Sequence, residues 1–172
     1  TEETKNMEGV VVRGVSLLRG QSKVTITGVA DRPGFAARIF GALADANIQV
    51  DMIVQNVSHT GVTDVSFTTA SDDAPKAEAA LSGLLQELSP EDGEASVETS
   101  GGIAKLCVVG IGMRSHSGVA ARLFEALRGA GVNIQMISTS EILIGVTIDE
   151  EQGEAAARAA HDEFGLAGEP DV

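Results

Sequence analysis

The chain has 172 residues, of which 43% are hydrophobic, a length that fits one ordinary domain or two small ones. Its net charge of −13 repels phosphate backbones, and Phe is its sole aromatic residue type, so we exclude nucleic acid as a partner. No apolar run approaches the roughly 20 residues of a membrane helix and no apolar leader opens the chain, so we expect a cytoplasmic protein without a membrane partner.

The first predicted elements are two strands and a helix. Residues 10–15, in the segment GVVVRGVSL, form an apolar strand, and residues 24–30 alternate β-branched and small side chains as a strand does. Pro33 and Gly34 break this second strand. A helix follows and ends at residues 45–47, with an apolar stripe at helical spacing formed by Ala36, Ile39, Phe40 and Leu43.

The next segments predict a hairpin, a second helix and another strand. Strands at residues 50–57 and 64–69 flank a turn at Thr60 and Gly61. The pattern at residues 74–88 predicts a helix whose apolar face consists of Ala77, Leu81, Leu84, Leu85 and Leu88. With a last strand at residues 95–99, this part of the chain follows the order βαββαβ.

The rest of the chain repeats this order but lacks its last strand. The predicted elements are a strand at 104–111, a helix at 118–129, strands at 134–138 and 142–149, and a helix at 151–164. KVTITGVA and PGFAARIFGALADANIQVDMI of the first copy align with KLCVVGIG and SGVAARLFEALRGAGVNIQMI of the second. The chain therefore contains two copies of one unit.

The surplus strand at residues 10–15 supplies the strand that the second copy lacks, since an unpaired sheet edge invites aggregation. We therefore predict an α+β fold of two ferredoxin-like βαββαβ domains, with the N-terminal strand completing the second domain. The domains are residues 23–100 and residues 9–16 plus 103–166, with tails at 1–8 and 167–172. Because one face of each sheet needs cover, we expect a homodimer.

The residue types that carry catalysis form no constellation in this sequence. His59, His116 and His161 lie in unlike contexts without the spacing of metal ligands, so we predict no metal site. Cys107 lies in the apolar run LCVVGI and is interpreted as a buried, inert thiol. GIGMRS begins like a dinucleotide fingerprint but has Ser115 in place of the third glycine. We expect neither a cofactor nor an enzyme.

The turn before each first helix is the candidate site. A glycine there lets a ligand approach exposed backbone N–H groups, and the helix dipole favours a carboxylate at that end. Asp31, just before the first turn, can hold an ammonium group, so the pair suits a zwitterionic amino acid. The alternative is that Asp31 caps the turn while Pro33 and Gly34 only shape it.

Polar residues in the segments QVDMIVQNVS and NIQMISTSEI offer further ligand contacts. Amide and hydroxyl groups stand there beside apolar residues, and such groups satisfy a bound polar ligand or a facing chain. The alternative is that these are simply solvated residues of edge strands. The residues are Gln55, Asn56, Ser58, Asn133, Ser138, Thr139 and Ser140.

These same stretches resemble the paired ACT domains of bacterial aspartokinases. The resemblance runs from about Gly9 to Leu166 and includes the motifs DxPG, DMIxQNVS and SHxGV followed by NIxxISTSEI. The chain is similar to the regulatory β subunit, or the C-terminal half of the α subunit, of the α2β2 type. The resemblance implies a regulatory part without the catalytic half, which binds threonine and, in concert, lysine, and mediates feedback inhibition of the kinase.

The resemblance also implies particular effector contacts and partners. In this family the effector lies between the first domain of one chain and the second domain of another, and the catalytic α subunit is the further partner. Threonine would contact Asp31, Pro33, Gly34, Ala36, Gln55, Asn133 and Ile134. Lysine, or a second site, would involve Asn56, Val57, Ser58, Met113, Ser115, His116, Gly118, Val119 and Ser140.

Two departures from the family pattern lie at the second turn. SHSG stands where relatives often have SHPG, which removes a fixed φ, and Ala120 replaces a frequent hydroxyl residue. Lysine sensing is therefore less well supported than threonine sensing. The alternative function is an ACT-domain amino-acid sensor that regulates a different biosynthetic enzyme.

Overall fold

The computed structural model describes residues 11–30, 33–57, 61–88, 95–111 and 116–165. The chain divides into two compact units. The first unit is the continuous stretch Gly20–Gly102, and the second unit combines the chain up to Arg19 with the chain from Ile103 onward. The N-terminal strand therefore belongs with the C-terminal part of the chain.

The first unit has the predicted βαββαβ order. Its strands lie in the order β2-β3-β1-β4, and β3 pairs antiparallel with both β1 and β2. A 3-10 turn at Ser71–Asp73 precedes the second helix. The elements are β1 (Val11–Ala30, of which residues 20–30 belong here), α1 (Phe35–Asp45), β2 (Ile53–Val57), β3 (Val62–Ala70), α2 (Ala74–Leu88) and β4 (Ser96–Ile111, of which residues 96–102 belong here).

The second unit repeats this order with strands in the sequence β1-β4-β6-β5. Val12, Val15 and Leu17 of β1 pack against its core, so the N-terminal strand completes this unit as predicted. The remaining elements are residues 103–111 of β4, α3 (His116–Gly129), β5 (Met136–Thr139), β6 (Leu143–Asp149) and α4 (Gly153–Glu163), with a 3-10 turn at Glu150–Gln152. The ferredoxin-like fold class is confirmed.

Each unit has its own core between the helices and one face of the sheet. In the first unit Phe67 is fully buried and meets Phe40 edge to face, with 6.0 Å between the ring centroids. Burial of such side chains stabilises each unit by about 1.5–3 kcal/mol per residue. The fully buried aliphatic residues include Val24, Ile26, Ile39 and Leu81 in the first unit and Leu106, Leu123, Ile144 and Ile148 in the second.

Two pairs of predicted strands are single strands in the structure. The strands predicted at residues 10–15 and 24–30 are parts of β1, and those predicted at 95–99 and 104–111 are parts of β4. Gly20 and Gly102 lie between the predicted strands, and each adopts a left-handed φ inside a strand that continues past it. Glycine allows such a local bend without ending the strand.

Other differences are small and have local causes. Helix α1 begins at Phe35, which takes the buried position expected for Ala36, while Ala36 is exposed. Strand β2 begins at Ile53 rather than at residue 50. Asp51 and Met52 nevertheless contact Thr68 of β3: the amide of Asp51 donates to Thr68 O (3.0 Å), and the amide of Met52 donates to the Thr68 hydroxyl (3.0 Å). Helix α2 has the predicted bounds.

Cys107 is half-buried rather than buried, which corrects the expectation from its apolar surroundings. Its neighbours Leu106 and Val108 face the core, so strand alternation turns the thiol to the opposite face of the sheet, beside Gly145 of β6. Within the described ranges, no helix is long and apolar enough to cross a membrane.

Candidate functional site

The turn between β1 and α1 places a glycine in a left-handed conformation directly before the helix. Gly34 has φ 85° and ψ −9°, and its carbonyl oxygen accepts from the amide of Arg38 (3.1 Å). A Cβ at Gly34 would meet nothing within 4 Å, so the backbone angle, not space, requires glycine here. Pro33, Gly34 and Ala36 are exposed, so the amides of the first helical turn lie at an open end of the unit.

A buried hydroxyl lies at the same end of the sheet, and the sequence analysis did not identify it. Thr63 of β3 is 0% exposed, pairs with Val29 of β1, and has no hydrogen-bond partner for its Oγ1 within the described part of the chain. Strand alternation puts Thr63 on the face of Val65 and Phe67, which the helices cover. A buried polar group without a partner calls for an explanation, and the usual ones are strain, a functional role, or a bound water or ion.

Strand β2 divides its polar residues between two faces. It is an outer strand of the first unit, and Gln55 lies opposite Val65 while Asn56 lies opposite Asp64. Because side chains alternate along a strand, Gln55 shares the face of Thr63, and Asn56 lies on the other face. Both are exposed. The structure thus separates the residue predicted for threonine from the one predicted for lysine.

The second-unit residues predicted for threonine precede the outer strand β5. Asn133 is exposed, and Ile134 is half-buried against the second core. Their neighbour Gln135 is held by hydrogen bonds: its amide donates to Thr147 O (2.8 Å), and its side chain donates to Asp149 Oδ1 (2.7 Å). The segment before β5 is therefore fixed to β6, with the Asn133 side chain at the surface.

The second-unit residues predicted for lysine lie in dissimilar places. Gly118 is exposed in α3, whereas the Val119 side chain is 1% exposed and packs in the second core. Ser140 shapes the turn between β5 and β6: its amide donates to Leu143 O (2.7 Å), and its Oγ accepts from the amide of Ile142 (3.4 Å).

Several predicted positions lie outside the described residues. These are Asp31, Ser58, Met113 and Ser115, together with the side chains of Val57 and His116. Within the described ranges, no group of three or more His, Cys, Asp or Glu residues is placed to hold a metal ion.

One ion pair of α3 perturbs the titration of its two members. The guanidinium of Arg128 donates to the carboxylate of Glu125 (Nε to Oε2, 3.0 Å). This hydrogen bond is the largest cause of a lowered pKa for Glu125 and a raised pKa for Arg128. Both side chains are exposed near the C-terminal end of α3, away from the turn that begins that helix.

Comparison with known proteins identifies the family. The ACT domain family model matches residues 24–84 and 106–164, one match in each unit. The chain belongs to the ACT domain family. Its relatives in that family are aspartate kinases and their regulatory subunits.

Two solved structures and one sequence show this relationship. The ligand-free regulatory subunit of aspartate kinase from Thermus thermophilus has a TM-score of 0.81 and 39% identity, over 90% of this chain and 99% of that one. A structure of aspartokinase alpha and beta subunits has a TM-score of 0.80 and 44% identity, over 91% of this chain and 100% of the matched chain. The aspartate kinase of Pseudomonas fluorescens is 47% identical over 165 residues, which are 96% of this chain.

The matched region is the regulatory ACT part of these kinases. This chain spans 39% of the length of the Pseudomonas fluorescens relative, whereas it covers nearly all of the Thermus regulatory subunit. A tandem ACT region of an aspartate kinase serves allosteric regulation.

Proposed function

We propose that this chain is the region through which threonine, in concert with lysine, inhibits an aspartate kinase. The observation that carries the proposal is the open N-terminal end of α1 at Gly34, at the end of the sheet where the orphaned hydroxyl of Thr63 lies. The regulated enzyme is inferred from the family relationship, and the kind of ligand is inferred from these groups.

Each polar group of threonine has a counterpart in the first unit. Its carboxylate suits the exposed amides at the start of α1, where the helix dipole favours negative charge. Its ammonium suits the carboxylate of Asp31, three residues before Gly34. Gln55 and the buried Thr63 hydroxyl lie on one face and offer hydrogen bonds to the ligand side chain.

The other side of the site comes from Asn133 and Ile134 of a second copy of the chain. The outer strands support such pairing, because Ile53 of β2 and Ile137 of β5 are 51% and 46% exposed at equivalent places in the two units. Exposed apolar side chains on outer strands are typical of surfaces that pair with another sheet. The proposal therefore includes a homodimer.

Lysine is proposed for a separate place. Asn56 lies on the face of β2 opposite to Gln55, so a ligand that contacts Asn56 is separate from threonine. The proposed lysine contacts of the first unit also include Val57 and Ser58. The proposed lysine contacts from the second unit are Met113, Ser115, His116, Gly118, Val119 and Ser140. Because the Val119 side chain is in the core, its contribution is assigned to its backbone.

The energetics suit a metabolite sensor. Threonine has about eight heavy atoms, and even very efficient tiny ligands gain at most about 1.5 kcal/mol per atom, so we expect a micromolar to millimolar Kd. A coupling free energy of about 1–3 kcal/mol between the effector site and the kinase is sufficient for feedback inhibition. No cofactor is needed.

The proposed receiver of the signal is the catalytic part of an aspartate kinase, as an α subunit in an α2β2 assembly. A solved structure of a relative contains aspartokinase alpha and beta subunits together. The alternative is a sensor of another amino acid that serves another enzyme. It predicts binding of that amino acid in preference to threonine.

Calorimetry with each amino acid tests the proposal. Threonine and lysine are titrated into the full chain alone and together, with sedimentation of the same samples, and the other amino acids serve as competitors. We expect saturable threonine binding, a dimer, and a loss of about tenfold in affinity in Gln55→Ala, the size of one ligand hydrogen bond. Gln86→Ala, which removes an exposed amide from α2, is the matched control. Unchanged affinity in Gln55→Ala overturns the assigned site.

A further inference from the structure

The chain passes between its two units at two points. The first unit is a single stretch, Gly20–Gly102, inserted into the second unit. One crossing therefore follows Arg19 in β1, and the other precedes Ile103 in β4. Any change in the arrangement of the units has to be accommodated by the backbone at these two points.

A glycine in a left-handed conformation stands at each crossing. Gly20 has φ +69° and Gly102 has φ +67°, and both lie inside strands. The remaining positive φ angles of the described residues occur at a register shift of β1 (Gly28), in turns and at helix ends (Gly34, Asn47, Gly61, Gly131 and Gly165).

The backbone angle, not tight packing, accounts for glycine at both crossings. A Cβ built at Gly20 or at Gly102 would meet nothing within 4 Å. The adjacent Gly101 differs, because its φ is not left-handed and its Cβ would meet Ser22 Oγ at 3.6 Å, an ordinary contact. The sequence thus places the residue type with the widest range of φ at the two positions through which the units are joined.

The internal repeat links the two glycines. They lie 82 positions apart, which is also the separation of Lys23 and Lys105 at the start of the aligned segments. In each copy of the repeat, the aligned first strand therefore follows the same left-handed glycine. From Gly20 onward, strand β1 continues to Ala30, where it ends. The turn of the proposed threonine site follows directly in the sequence.

We propose that Gly20 and Gly102 form a two-strand hinge and that threonine binding selects one of its settings. The inference rests on the proposed function for the identity of the effector. Hinges are a few residues that absorb large changes in φ and ψ. Two separate connections restrict the movement to fewer directions than one linker does. The hinge connects binding at the first unit to the position of the second.

Substitution of the two glycines by alanine tests the hinge. Gly20→Ala and Gly102→Ala disfavour the left-handed backbone by about 5- to 30-fold relative to glycine. Gly14→Ala in β1 and Gly101→Ala in β4 are the matched controls, because neither residue has a left-handed φ and neither Cβ meets an atom closer than 3.6 Å. Gly20→Asn and Gly102→Asn give milder variants, since Asn tolerates the left-handed region better than Ala.

The first readout needs no ligand. Spin labels are attached through Ser82→Cys in α2 and Ala155→Cys in α4, both exposed, with Cys107→Ser as the background. We expect the distribution of distances between the labels to shift in the Ala variants of Gly20 and Gly102, less in the Asn variants, and not in the two controls. If Gly20→Ala and Gly102→Ala show the same distance distribution as the parent protein, the hinge is overturned.

The second readout is threonine affinity by calorimetry. We expect Gly20→Ala and Gly102→Ala to change the Kd by about 5- to 30-fold while Gly14→Ala and Gly101→Ala bind as the parent does. A lower melting temperature with unchanged affinity and unchanged distances indicates strain alone and overturns the proposal. If the distances shift but the parent binds no threonine, the hinge stands and the proposed effector is wrong.

Discussion

Thr63 lies opposite Val29 in the pairing of β3 with β1, at the end of the sheet where α1 begins. Val29 belongs to the core of the first unit, whereas the buried hydroxyl of Thr63 has no hydrogen-bond partner within the described part of the chain. A buried hydroxyl without a partner destabilises the ligand-free protein. The proposed threonine site would supply a partner for this hydroxyl.

Thr63→Val removes the hydroxyl and keeps the shape of the side chain. We expect the free energy of unfolding of the ligand-free protein to rise by about 1 kcal/mol, since an unsatisfied polar group is lost. Threonine affinity should fall by about tenfold, the size of one lost hydrogen bond. Urea denaturation and calorimetry measure the two quantities.

Thr147→Val is the control for this variant. Thr147 of β6 is also fully buried with an orphaned Oγ1 in the described part of the chain, but it lies in the second unit. It should gain stability and bind threonine normally. Equal threonine affinity in Thr63→Val and the parent protein contradicts a role for Thr63 in the site.

Gly34→Ala tests the requirement for a left-handed residue before α1. We expect the free energy of unfolding to fall by about 1–2 kcal/mol, because an L side chain at φ 85° is strained even though space is available. Gly41→Ala in the exposed part of the same helix should instead raise it by about 0.5–1 kcal/mol. Urea denaturation distinguishes the two signs, and equal effects refute the backbone argument.

Arg122 joins α3 to the end of α4 through three contacts. Its Nε donates to Glu163 Oε1 (2.9 Å), its Nη2 donates to Glu163 O (2.8 Å), and its guanidinium carbon lies 4.8 Å from the centroid of the Phe164 ring. Arg122→Lys loses the planar fork and should lower the free energy of unfolding by about 1 kcal/mol.

Arg38→Lys is the control, because the contact shown for Arg38 is one surface ion pair with Glu87 (2.9 Å) that lysine can replace. Its effect should stay below about 0.5 kcal/mol. Salt should reduce the smaller effect further. If both variants lose the same stability, the backbone and ring contacts of Arg122 contribute nothing.

The Glu125–Arg128 pair predicts a titration that depends on its partner. The hydrogen bond from Arg128 lowers the pKa of Glu125 below its ordinary value of 4.5. A carboxylate with a lowered pKa in the folded state contributes stability above its ordinary pKa, and loses it as the pH falls through the lowered value. Carbon NMR of the carboxyl group should show the pKa of Glu125 rising in Arg128→Leu. An unchanged pKa contradicts the pair.

The sequence predicted regular elements well where hydrophobic periodicity is strong. The stripe of Ala77, Leu81 and Leu85 has a helical period and a clear start, so the bounds of α2 were correct. The predicted breaks around Gly20 and Gly102 were wrong, because the chain continues there as one strand through a left-handed glycine. Backbone angles of this kind depend on pairing with distant strands.

The sequence predicted the turn of the candidate site but not the buried Thr63 beside it. Gly34 and Pro33 show the turn directly in the sequence. Thr63 looks like an ordinary β-branched strand residue, and its significance appears only when burial and hydrogen bonding are known. A threonine at a core-facing position of an alternating strand was the available signal.

Crystals of the full chain grown with threonine test the central claim most directly. The account predicts electron density for one amino acid at the start of α1, with its carboxylate about 3 Å from the amides of the first helical turn. Asp31 and Gln55 should contact it from the same chain, and Asn133 from a second copy. Density for solvent alone at this turn, or threonine bound elsewhere, contradicts the account.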